Sequence, residues 1–551
     1  MSLSKPEESV MTPWAVKGKI NYMAQITQFG TTAITGALAK RWERVTKRKM
    51  HRFIRRGIVF SHQDIERILD CVEKGIPIYI YTGRGPSSES MHLGHMVPFV
   101  LTKYLQDALN CIVVIQMSDD EKFLFKDGSK PADLEYYHGL SRKNARDIIA
   151  CGFDPAKTLI FSNLESNKDM LYFNNILIMN STSMNQIKGT YGLGETLPPK
   201  VIEVLQTKLV EAKAEAASIE QTIEANEERL IPGNSTDTGE VLQSKLSDLN
   251  IMIRDLEASV KKFSSESGSS ASVGQCVWPA FQCGPAFATS FTDVFSRSIK
   301  AALQKPDAQD TLDVPPNIVA SLKRVLNQLL NIGSDKVQTC EMMCLVPMAI
   351  DQAPYFRMAR DVASNLKCLE PAVIHSEFLP GLKQSAGKMS STSTSTADNS
   401  SSTLFLDMKP DEVAKTIKRN AFSGGRDNLE EHRKMGGDIK IDICYQYLTY
   451  FVEDDDELSK IAEAYSNGDM TSGQIKEMTA NLVASVIRDH QTRKAEVTDA
   501  IVSEFFDWTR VLDIGGCYNR PDLAELESTD YTKYGIDFDR TFGFVPKGDR
   551  S

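Results

Sequence analysis

The chain has 551 residues, of which 41% are hydrophobic, 25% charged and 8% aromatic, and this composition excludes wholly disordered, collagen-like and disulfide-scaffold proteins. A formal net charge of -10 excludes a protein that is basic overall, so nucleic-acid binding would need a local patch. No run reaches the roughly 18 to 20 apolar residues of a membrane helix, and MSLSKPEESV is unlike a signal peptide. We therefore expect a cytoplasmic protein without a membrane partner.

Residues 1–70 are predicted to form an N-terminal extension that carries a basic segment. Between Lys40 and Arg56, nine Lys and Arg residues accompany a single acid, Glu43, an excess of +8 in seventeen residues. Two interpretations stay open for this segment. It is either a solvated helix face or a surface that contacts phosphates.

Residues 71–410 have the pattern of a doubly wound parallel α/β domain. The apolar run 76–81 ends in the Gly-rich loop YTGRGPSS, a helical pattern follows MHLGH, and a second apolar run covers 111–115. This order predicts a βαβ unit. Further apolar runs at 158–161, 344–350 and 372–374 alternate with helical stretches, which indicates a parallel sheet covered on both faces.

A segment of different character, 201–274, interrupts this domain. Two apolar series repeat in steps of three and four residues, from Leu205 to Ile223 and from Leu242 to Phe263, with a turn-forming cluster between them. Such heptads predict an inserted antiparallel coiled-coil hairpin. It is either a free-standing surface insertion or an arm that contacts tRNA or a partner.

After residue 410 the pattern becomes almost entirely helical. Residues 411–510 predict an α-helical domain, and 511–551 a C-terminal tail of irregular structure. The acidic run EDDDE, Glu453 to Glu457, is interpreted as a solvated helix start that the helix dipole favours. Ten cysteines and eight histidines show no zinc-ligand spacing, so we predict reduced thiols and no metal site.

The strongest chemical motif is His92-Leu93-Gly94-His95, directly after the first strand and the Gly-rich loop. Residues three apart on a first helical turn face the same way, so both imidazoles could meet a phosphoryl group at the helix N-terminus. Gly94 lets a flat base approach the backbone. A second motif, Lys388-Met389-Ser390, could neutralise a departing pyrophosphate. In this order the two motifs resemble the signatures of class I aminoacyl-tRNA synthetases.

Longer segments narrow the resemblance. YTGRGPSSESMHLGH, VIQMSDDEKFLFKD, AIDQAPYFRMARDVA, GKMSS and AFSGGRDNLEEHR are similar to tryptophanyl-tRNA synthetases of the eukaryotic and archaeal type. The similarity runs from about residue 13 to about residue 506, excluding the hairpin, the region 300–336, an enlarged Ser/Thr loop after the lysine motif, and the tail. It implies a Rossmann-type catalytic domain, a helical anticodon-binding domain and a homodimer.

The resemblance also implies site residues. Its tryptophan pocket comprises Tyr81 and Gln116 at the indole N–H, Glu121, Gln282 and Gln352 at the ammonium and carboxylate, and Phe356 as an aromatic wall. Its ATP site comprises Gly83, Arg84, Gly85, His92, Gly94, His95, Lys388, Met389 and Ser390, of which His92, His95, Lys388 and Ser390 are the catalytic candidates. ATP is a substrate and brings magnesium with it.

For tRNA(Trp), the resemblance implies that Arg426 and Asp427 contact the anticodon, and it favours the phosphate-binding interpretation of the basic segment. The family loop reads K-M-S-A-S or K-M-S-K-S, whereas here Ser391 and Thr392 run on into further Ser and Thr residues, which puts loop closure in question. Two alternatives remain: a tyrosyl-tRNA synthetase, and a non-catalytic RNA-binding derivative. Intact His92, His95 and Lys388 argue against the second.

Overall fold

The computed structural model describes residues 10–11, 16–17, 26, 30–125, 131–166, 169–191, 199–227, 246, 249–250, 252–254, 256–257, 271–304, 316–332, 338–383, 389 and 403–514. Contacts divide the chain into two compact units, residues 1–182 with 277–551, and residues 183–276. Within the described residues no helix is both long enough and apolar enough to cross a bilayer.

The larger unit is built on a seven-stranded sheet. A separate antiparallel pair joins β1 (Val10–Met11) to β2 (Val16–Lys17). The strands of the main sheet are β3 (Thr32–Ala33), β4 (Val59–Gln63), β5 (Ile78–Arg84), β6 (Ile112–Met117), β7 (Thr158–Ser162), β8 (Met343–Ala349) and β9 (Ala372–Ser376). Their order across the sheet is β3-β4-β9-β8-β5-β6-β7. From β9 to β7 the strands are parallel, and their residues are almost all buried, as a sheet covered on both faces requires.

The predicted doubly wound sheet is confirmed, with a difference at one edge. Both β3 and β4 run antiparallel to their neighbours, so the sheet is mixed. These strands lie in the region predicted as an N-terminal extension, which therefore contributes two strands to one edge of the sheet. The sequence VFSHQ of β4 mixes apolar and polar residues and lacks the continuous apolar run by which the parallel strands were recognised.

Helices cover the two faces of the sheet and follow the strands in sequence. They are α1 (Gly36–Thr46), α2 (Arg52–Arg55), α3 (Ile65–Glu73), α4 (Leu93–Leu109), α5 (Asp119–Phe125), α6 (Pro131–Ile149), α7 (Asn163–Ser166), α8 (Asp169–Ser181), α11 (Val273–Cys283), α12 (Thr292–Gln304), α13 (Pro316–Leu330) and α14 (Ala353–Val362). One continuous apolar core joins α1, α3, α4 and the strands to the helices that follow residue 410.

The region after residue 410 is helical, as predicted. It contains α15 (Pro410–Asn420), α16 (Leu429–Met435), α17 (Ile443–Phe451), α18 (Asp455–Ser466), α19 (Ser472–Glu496) and α20 (Asp499–Phe505). The long helix α19 packs on α15 and α17 through buried residues such as Ile475, Val483 and Ile487. Beyond residue 510, Leu512 and Ile514 are buried, and the rest of the predicted tail lies outside the described residues.

The basic segment and the acidic run meet each other. Asp455 accepts hydrogen bonds from Arg55 Nε at 2.8 Å and from Arg56 Nε at 2.6 Å, and Arg52 pairs with Glu453 at 2.7 Å. The Arg55 and Arg56 side chains are only 7% and 2% exposed. These arginines therefore hold α18 against α2, and they are neither a solvated face nor available to phosphates. The exposed cations of the segment all precede them and are Lys40, Arg44, Lys47, Arg48 and Lys49.

The smaller unit contains α9 (Met184–Tyr191) and α10 (Pro199–Glu227). Ala216 and Ile219 of α10 bury against Leu249, and Lys213 pairs with Glu257 at 2.6 Å. Lys213, which precedes Ala216 and Ile219, thus pairs with Glu257, which follows Leu249. This direction agrees with the predicted antiparallel hairpin, whose connecting turn lies outside the described residues.

Candidate active site

A cavity of about 450 Å³ opens at the carboxyl ends of β5, β8 and β9. The chain runs from β5 outward to β6 and β7, and then returns to place β8 on the other side of β5. Such a reversal leaves a crevice outside the strand ends, where doubly wound sheets bind their ligands. The fold alone therefore predicts a ligand site at this position.

The two histidines of the H-x-G-H motif form one wall. Their rings stack with centroids 3.4 Å apart, and both residues line the cavity at the N-terminus of α4. A side-chain Cβ on Gly94 would lie 3.1 Å from His92 Cε1 and 3.4 Å from Met389 Cβ. The residue between the histidines thus touches the lysine motif, 295 positions later in the chain.

Arg84 lines the same cavity as the two histidines and supplies a positive charge. Burial lowers the pKa of its guanidinium to about 10, opposed by the negative charges of Glu121 and Asp147. Arg84 Nε and Nη2 are buried and have no hydrogen-bond partner in the part of the chain that the structure describes. Because an unsatisfied buried donor costs free energy, a guanidinium in this position favours an anion in the cavity, such as a phosphate.

Tyr81 lies deeper in the cavity and is fully buried. Its hydroxyl is 2.6 Å from Gln116 Oε1 and 2.9 Å from the carbonyl oxygen of Gln282. Gln116 Nε2 donates in turn to Asn163 Oδ1 and to the Phe281 carbonyl. Gln116 is therefore outside the cavity lining and holds Tyr81 from behind, while a lone pair of the Tyr81 hydroxyl can accept from a ligand.

Aromatic rings line a slot of the cavity beside Tyr81. The ring of Phe356 lies 5.9 Å from that of Tyr81, and Trp278 packs edge-on against Phe125 and Tyr355. Trp278 Nε1 donates to Asp120 Oδ1 at 3.2 Å. Burial raises the pKa of Asp120 to about 6, although hydrogen bonds from Asn163 and Trp278 oppose the shift. A slot of this kind suits a planar apolar group with a single polar atom.

Glu121 carries the negative charge at the mouth of the slot. It accepts from Ser118 Oγ at 3.0 Å and pairs with Lys122 Nζ at 2.9 Å. A Cβ on Gly85 would lie 2.2 Å from Glu121 Oε2, so only glycine permits this approach. Gln352, at the turn between β8 and α14, also faces the cavity.

The cavity gathers most of the predicted residues. Those that line it are Tyr81, Gly83, Arg84, Gly85, His92, Gly94, His95, Glu121, Gln282, Gln352, Phe356 and Met389. Lys388 and Ser390, together with the loop to residue 402, lie outside the described residues, so the predicted effect of the enlarged loop stays a prediction.

The sequence interpretation did not identify several lining residues. Lys122 stands next to Glu121 in the DDEK stretch and could have been recognised by that position. Trp278 and Glu377 gave no sequence signal, because they reach the cavity only through the placement of α11 and the end of β9. Burial raises the pKa of Glu377 to about 7.

Arg426 and Asp427 lie apart from this cavity, in a loop between α15 and α16. Both are exposed, and Arg426 Nε donates to the Gly436 carbonyl at 3.0 Å. The loop is tightly fixed: the Gly424 N–H donates to Asp442 Oδ2, and a Cβ on Gly424 would lie 2.1 Å from the Asp438 carbonyl oxygen. The loop thus presents a cation and an anion on a fixed backbone.

No group of three or more His, Cys, Asp or Glu residues in the described part of the chain could hold a metal ion. The acids that line the cavity, Glu121, Asp351 and Glu377, form no such group. The described protein groups therefore do not form a cage for magnesium.

Comparison with known proteins identifies relatives along most of the chain. A family model described as tRNA synthetases class I (W and Y) matches residues 73–195 and 333–487. The tryptophan–tRNA ligase, cytoplasmic, of Oryctolagus cuniculus is 34% identical over 505 residues, covering 91% of this chain and 80% of that protein. The Schizosaccharomyces pombe protein of the same name is 33% identical, covering 92% and 99%.

Solved structures of tryptophanyl-tRNA synthetases superimpose on most of this chain. Tryptophanyl-tRNA synthetase from Giardia lamblia superimposes with a TM-score of 0.62 at 32% identity, covering 88% of this chain and 95% of that chain. The Plasmodium falciparum tryptophanyl-tRNA synthetase superimposes with a TM-score of 0.60 at 32% identity, covering 89% and 95%.

Proposed function

Because the chain belongs to the class I tRNA synthetases of the tryptophan and tyrosine type, we propose that it is a tryptophan–tRNA ligase. It activates L-tryptophan with ATP to form tryptophanyl-adenylate and pyrophosphate, and then transfers tryptophan to tRNA(Trp). The observation that carries this proposal is a single cavity in which an aromatic slot adjoins two stacked imidazoles and a buried guanidinium whose Nε and Nη2 have no hydrogen-bond partner among the described residues.

The first step needs no nucleophile from the protein. A tryptophan carboxylate oxygen attacks the α-phosphorus, the bond to the β-phosphate breaks, and pyrophosphate leaves. The protein contributes positioning and charge neutralisation. Arg84, His92 and His95 hold the phosphates, and the N-terminus of α4 adds its dipole to them. Magnesium enters as part of the ATP substrate.

Tryptophan recognition follows from the slot. Tyr81, held by Gln116, accepts the indole N–H, and Phe356 lies beside the ring. Glu121 binds the ammonium group, and Gln282 and Gln352 orient the ammonium and carboxylate. Phenylalanine would leave the Tyr81 lone pair unmatched, which a buried polar site penalises.

The lysine motif completes the site. Met389 lies against Gly94, which supports assigning Lys388 and Ser390 to the β- and γ-phosphates. Replacing Lys388 by Ala should slow adenylate formation by about 2.7 to 4 kcal/mol in activation free energy, the cost of one preorganised donor. A single-turnover burst of adenylate equal to that of the wild type would reject this role.

For tRNA, we propose that Arg426 and Asp427 contact the anticodon and that Lys47, Arg48 and Lys49 contact the backbone. Arg52, Arg55 and Arg56 are excluded from the second surface because they bind the acidic run. Replacing Lys47, Arg48 and Lys49 by Ala should raise the KM for tRNA. It should also reduce the slope of log K against log salt by about 0.7 to 0.9 for each phosphate that is no longer neutralised. Tryptophan-dependent pyrophosphate exchange should stay unchanged.

We also propose that the protein is a cytoplasmic homodimer. Tyr172, Phe173 and Ile176 of α8 are 47%, 49% and 43% exposed, which is unusual for neighbouring large apolar side chains and supports a second copy as the partner of this helix. Replacing Phe173 by Asp should shift the sedimentation coefficient to that of a monomer. An unchanged dimer would remove this helix from the interface.

The test of the proposed activity is amino-acid-dependent exchange of labelled pyrophosphate into ATP. We expect exchange with tryptophan and transfer to tRNA(Trp). No exchange with tryptophan would reject the ligase function.

A further inference from the structure

A buried carboxylate links the helical region to the start of the H-x-G-H motif. Asp147, on α6, is fully buried. Its Oδ2 accepts from the backbone N–H of Met91 at 3.3 Å, and its Oδ1 lies 3.2 Å from His490 Nε2 and 2.6 Å from Lys494 Nζ. Met91 immediately precedes His92, whereas His490 and Lys494 belong to the last turns of α19.

The charge of Asp147 is maintained by its partners. Burial alone would raise the pKa of this carboxyl, but the hydrogen bond from His490 and the nearby Lys494 outweigh burial and lower it. The carboxylate is therefore ionised at neutral pH. Its negative charge also favours the charged form of Arg84 in the cavity.

The same end of α19 holds the segment that returns from the lysine-motif loop. Gln491 Nε2 donates to the carbonyls of Leu406 and Met408, each at 2.8 Å. That segment pairs with the residues around His92: the Leu406 N–H donates to the Met91 carbonyl, and the Leu93 N–H donates to the Leu404 carbonyl, each at 2.8 Å. His92 and Phe405 are bridge partners.

Residues 91–93 lie outside the main sheet. Ser90 and His95 bond their backbone locally, and the described long-range partners of that backbone are Asp147 and residues 404–406. Both partners are held by consecutive side chains of α19. A shift at this end of α19 would move the backbone that carries His92 and begins α4.

We propose that Asp147 is a positioning residue for the nucleotide: together with His490 and Lys494, and alongside Gln491, it sets the position of His92 relative to the segment 404–406. This inference rests on the proposed ligase function. It assigns the C-terminal end of α19 a role in ATP use that is separate from tryptophan binding, because the Tyr81 slot is built from other elements.

The test replaces Asp147 by Asn. The amide is nearly isosteric, but it removes the charge and turns one acceptor into a donor. We expect kcat/KM for ATP in pyrophosphate exchange to fall between about 10-fold and about 100-fold, the range that small misplacements of reacting groups produce. Tryptophan affinity, measured by equilibrium dialysis on titrated active sites, should stay within about twofold.

A second variant covers the case in which Asp147→Asn does not fold. Gln491→Ala leaves the buried carboxylate intact and removes only the two hydrogen bonds to residues 406 and 408. It should lower kcat/KM for ATP in the same direction. In the double variant the two effects should combine to less than their product, since both act on one bridge.

The matched control is Asp499→Asn. Asp499 also forms an ion pair with α6, through Arg146, but its side chain is 95% exposed and it does not touch residues 91–93. We expect wild-type parameters from this control. If Asp147→Asn matches the control, or weakens ATP and tryptophan binding equally, Asp147 only joins two helices and the inference is wrong. Absence of tryptophan-dependent exchange in the wild type would instead overturn the proposed function, and this inference with it.

Discussion

Asp455 joins two distant parts of the chain, and its replacement by Asn should destabilise their contact. It accepts three hydrogen bonds, from Arg55 Nε and Nη2 and from Arg56 Nε, at 2.8, 2.5 and 2.6 Å. Burial would raise the pKa of Asp455, but the hydrogen bonds and charges of the two arginines outweigh it and lower the pKa. The carboxylate thus stabilises the fold above its unfolded pKa, and this stabilisation is lost as the pH falls through the folded value.

The expected loss of stability follows from the burial of the two arginines. With the carboxylate removed, two guanidinium groups that are 7% and 2% exposed remain without their counter-charge. Breaking a buried pair in this way costs about 3 to 5 kcal/mol. Removing one acidic group from the first turn of a helix costs only about 0.3 to 1 kcal/mol through the dipole, so the two interpretations of the acidic run predict different results.

Hydrogen exchange of peptides that cover 50–58 measures the free energy of local opening. The control is Glu457→Gln, because Glu457 lies in the same first turn of α18 and is exposed. Asp455→Asn should lower the opening free energy by at least about 2 kcal/mol more than the control, the difference between breaking the ion pair and weakening the dipole interaction. Equal effects at pH 7 would show that the dipole alone explains the acidic run and would refute the ion-pair argument.

Three further predictions concern the cavity and the exposed loop. Replacing Tyr81 by Phe should raise the KM for tryptophan by about 10-fold at most, the size of one neutral hydrogen bond, and leave the KM for ATP unchanged; an unaltered tryptophan KM would contradict the indole contact. Because the folded pKa of Glu377 is about 7 against an ordinary 4.5, folding favours its neutral form, and stability should fall as the pH rises from about 4.5 to about 7. Glu377→Gln should flatten the thermal unfolding profile in that window, and a profile parallel to the wild type would contradict this. Gly424→Ala should raise the KM for tRNA without changing pyrophosphate exchange, because its Cβ would meet the Asp438 carbonyl, whereas Gly139→Ala, which meets nothing within 4 Å, should change neither; equal tRNA kinetics in both variants would separate this loop from tRNA binding.

The parallel strands could be predicted because their residues carry the signal locally. The runs predicted at 111–115, 158–161 and 344–350 differ by one or two residues from the strands Ile112–Met117, Thr158–Ser162 and Met343–Ala349. Strand β5, predicted at 76–81, extends three residues beyond the end of that prediction, through Gly83 and Arg84. It does so because these residues pair with Gln116 and Met117 of β6, a partner that an apolar pattern does not reveal.

Long-range partners account for what the sequence could not show. Strand β4 pairs with β9, more than 300 residues away, and its own pattern is weak. The contact of Arg55 with Asp455 spans 400 residues. A basic run and an acidic run each look solvated when taken alone, and only the fold brings them together.

The residues of the site also fall into two groups, those that the sequence reveals and those that only long-range contacts reveal. His92 could be identified because the spacing of its motif is specific, and Phe356 because its segment resembles the family. Gln116, assigned to the indole, instead lies behind Tyr81, because its side-chain amide is engaged by Tyr81, Asn163 and the Phe281 carbonyl. Asp147 carried no motif, and its relation to His92 appears only in its hydrogen bond with the backbone N–H of Met91.

The central claim is that this cavity binds an indole next to ATP. Pyrophosphate exchange by the purified full-length chain, with tryptophan and tyrosine compared at equal concentration, tests it most directly. The structure predicts exchange that depends on tryptophan and is at background with tyrosine. Exchange with tyrosine alone would contradict the indole slot.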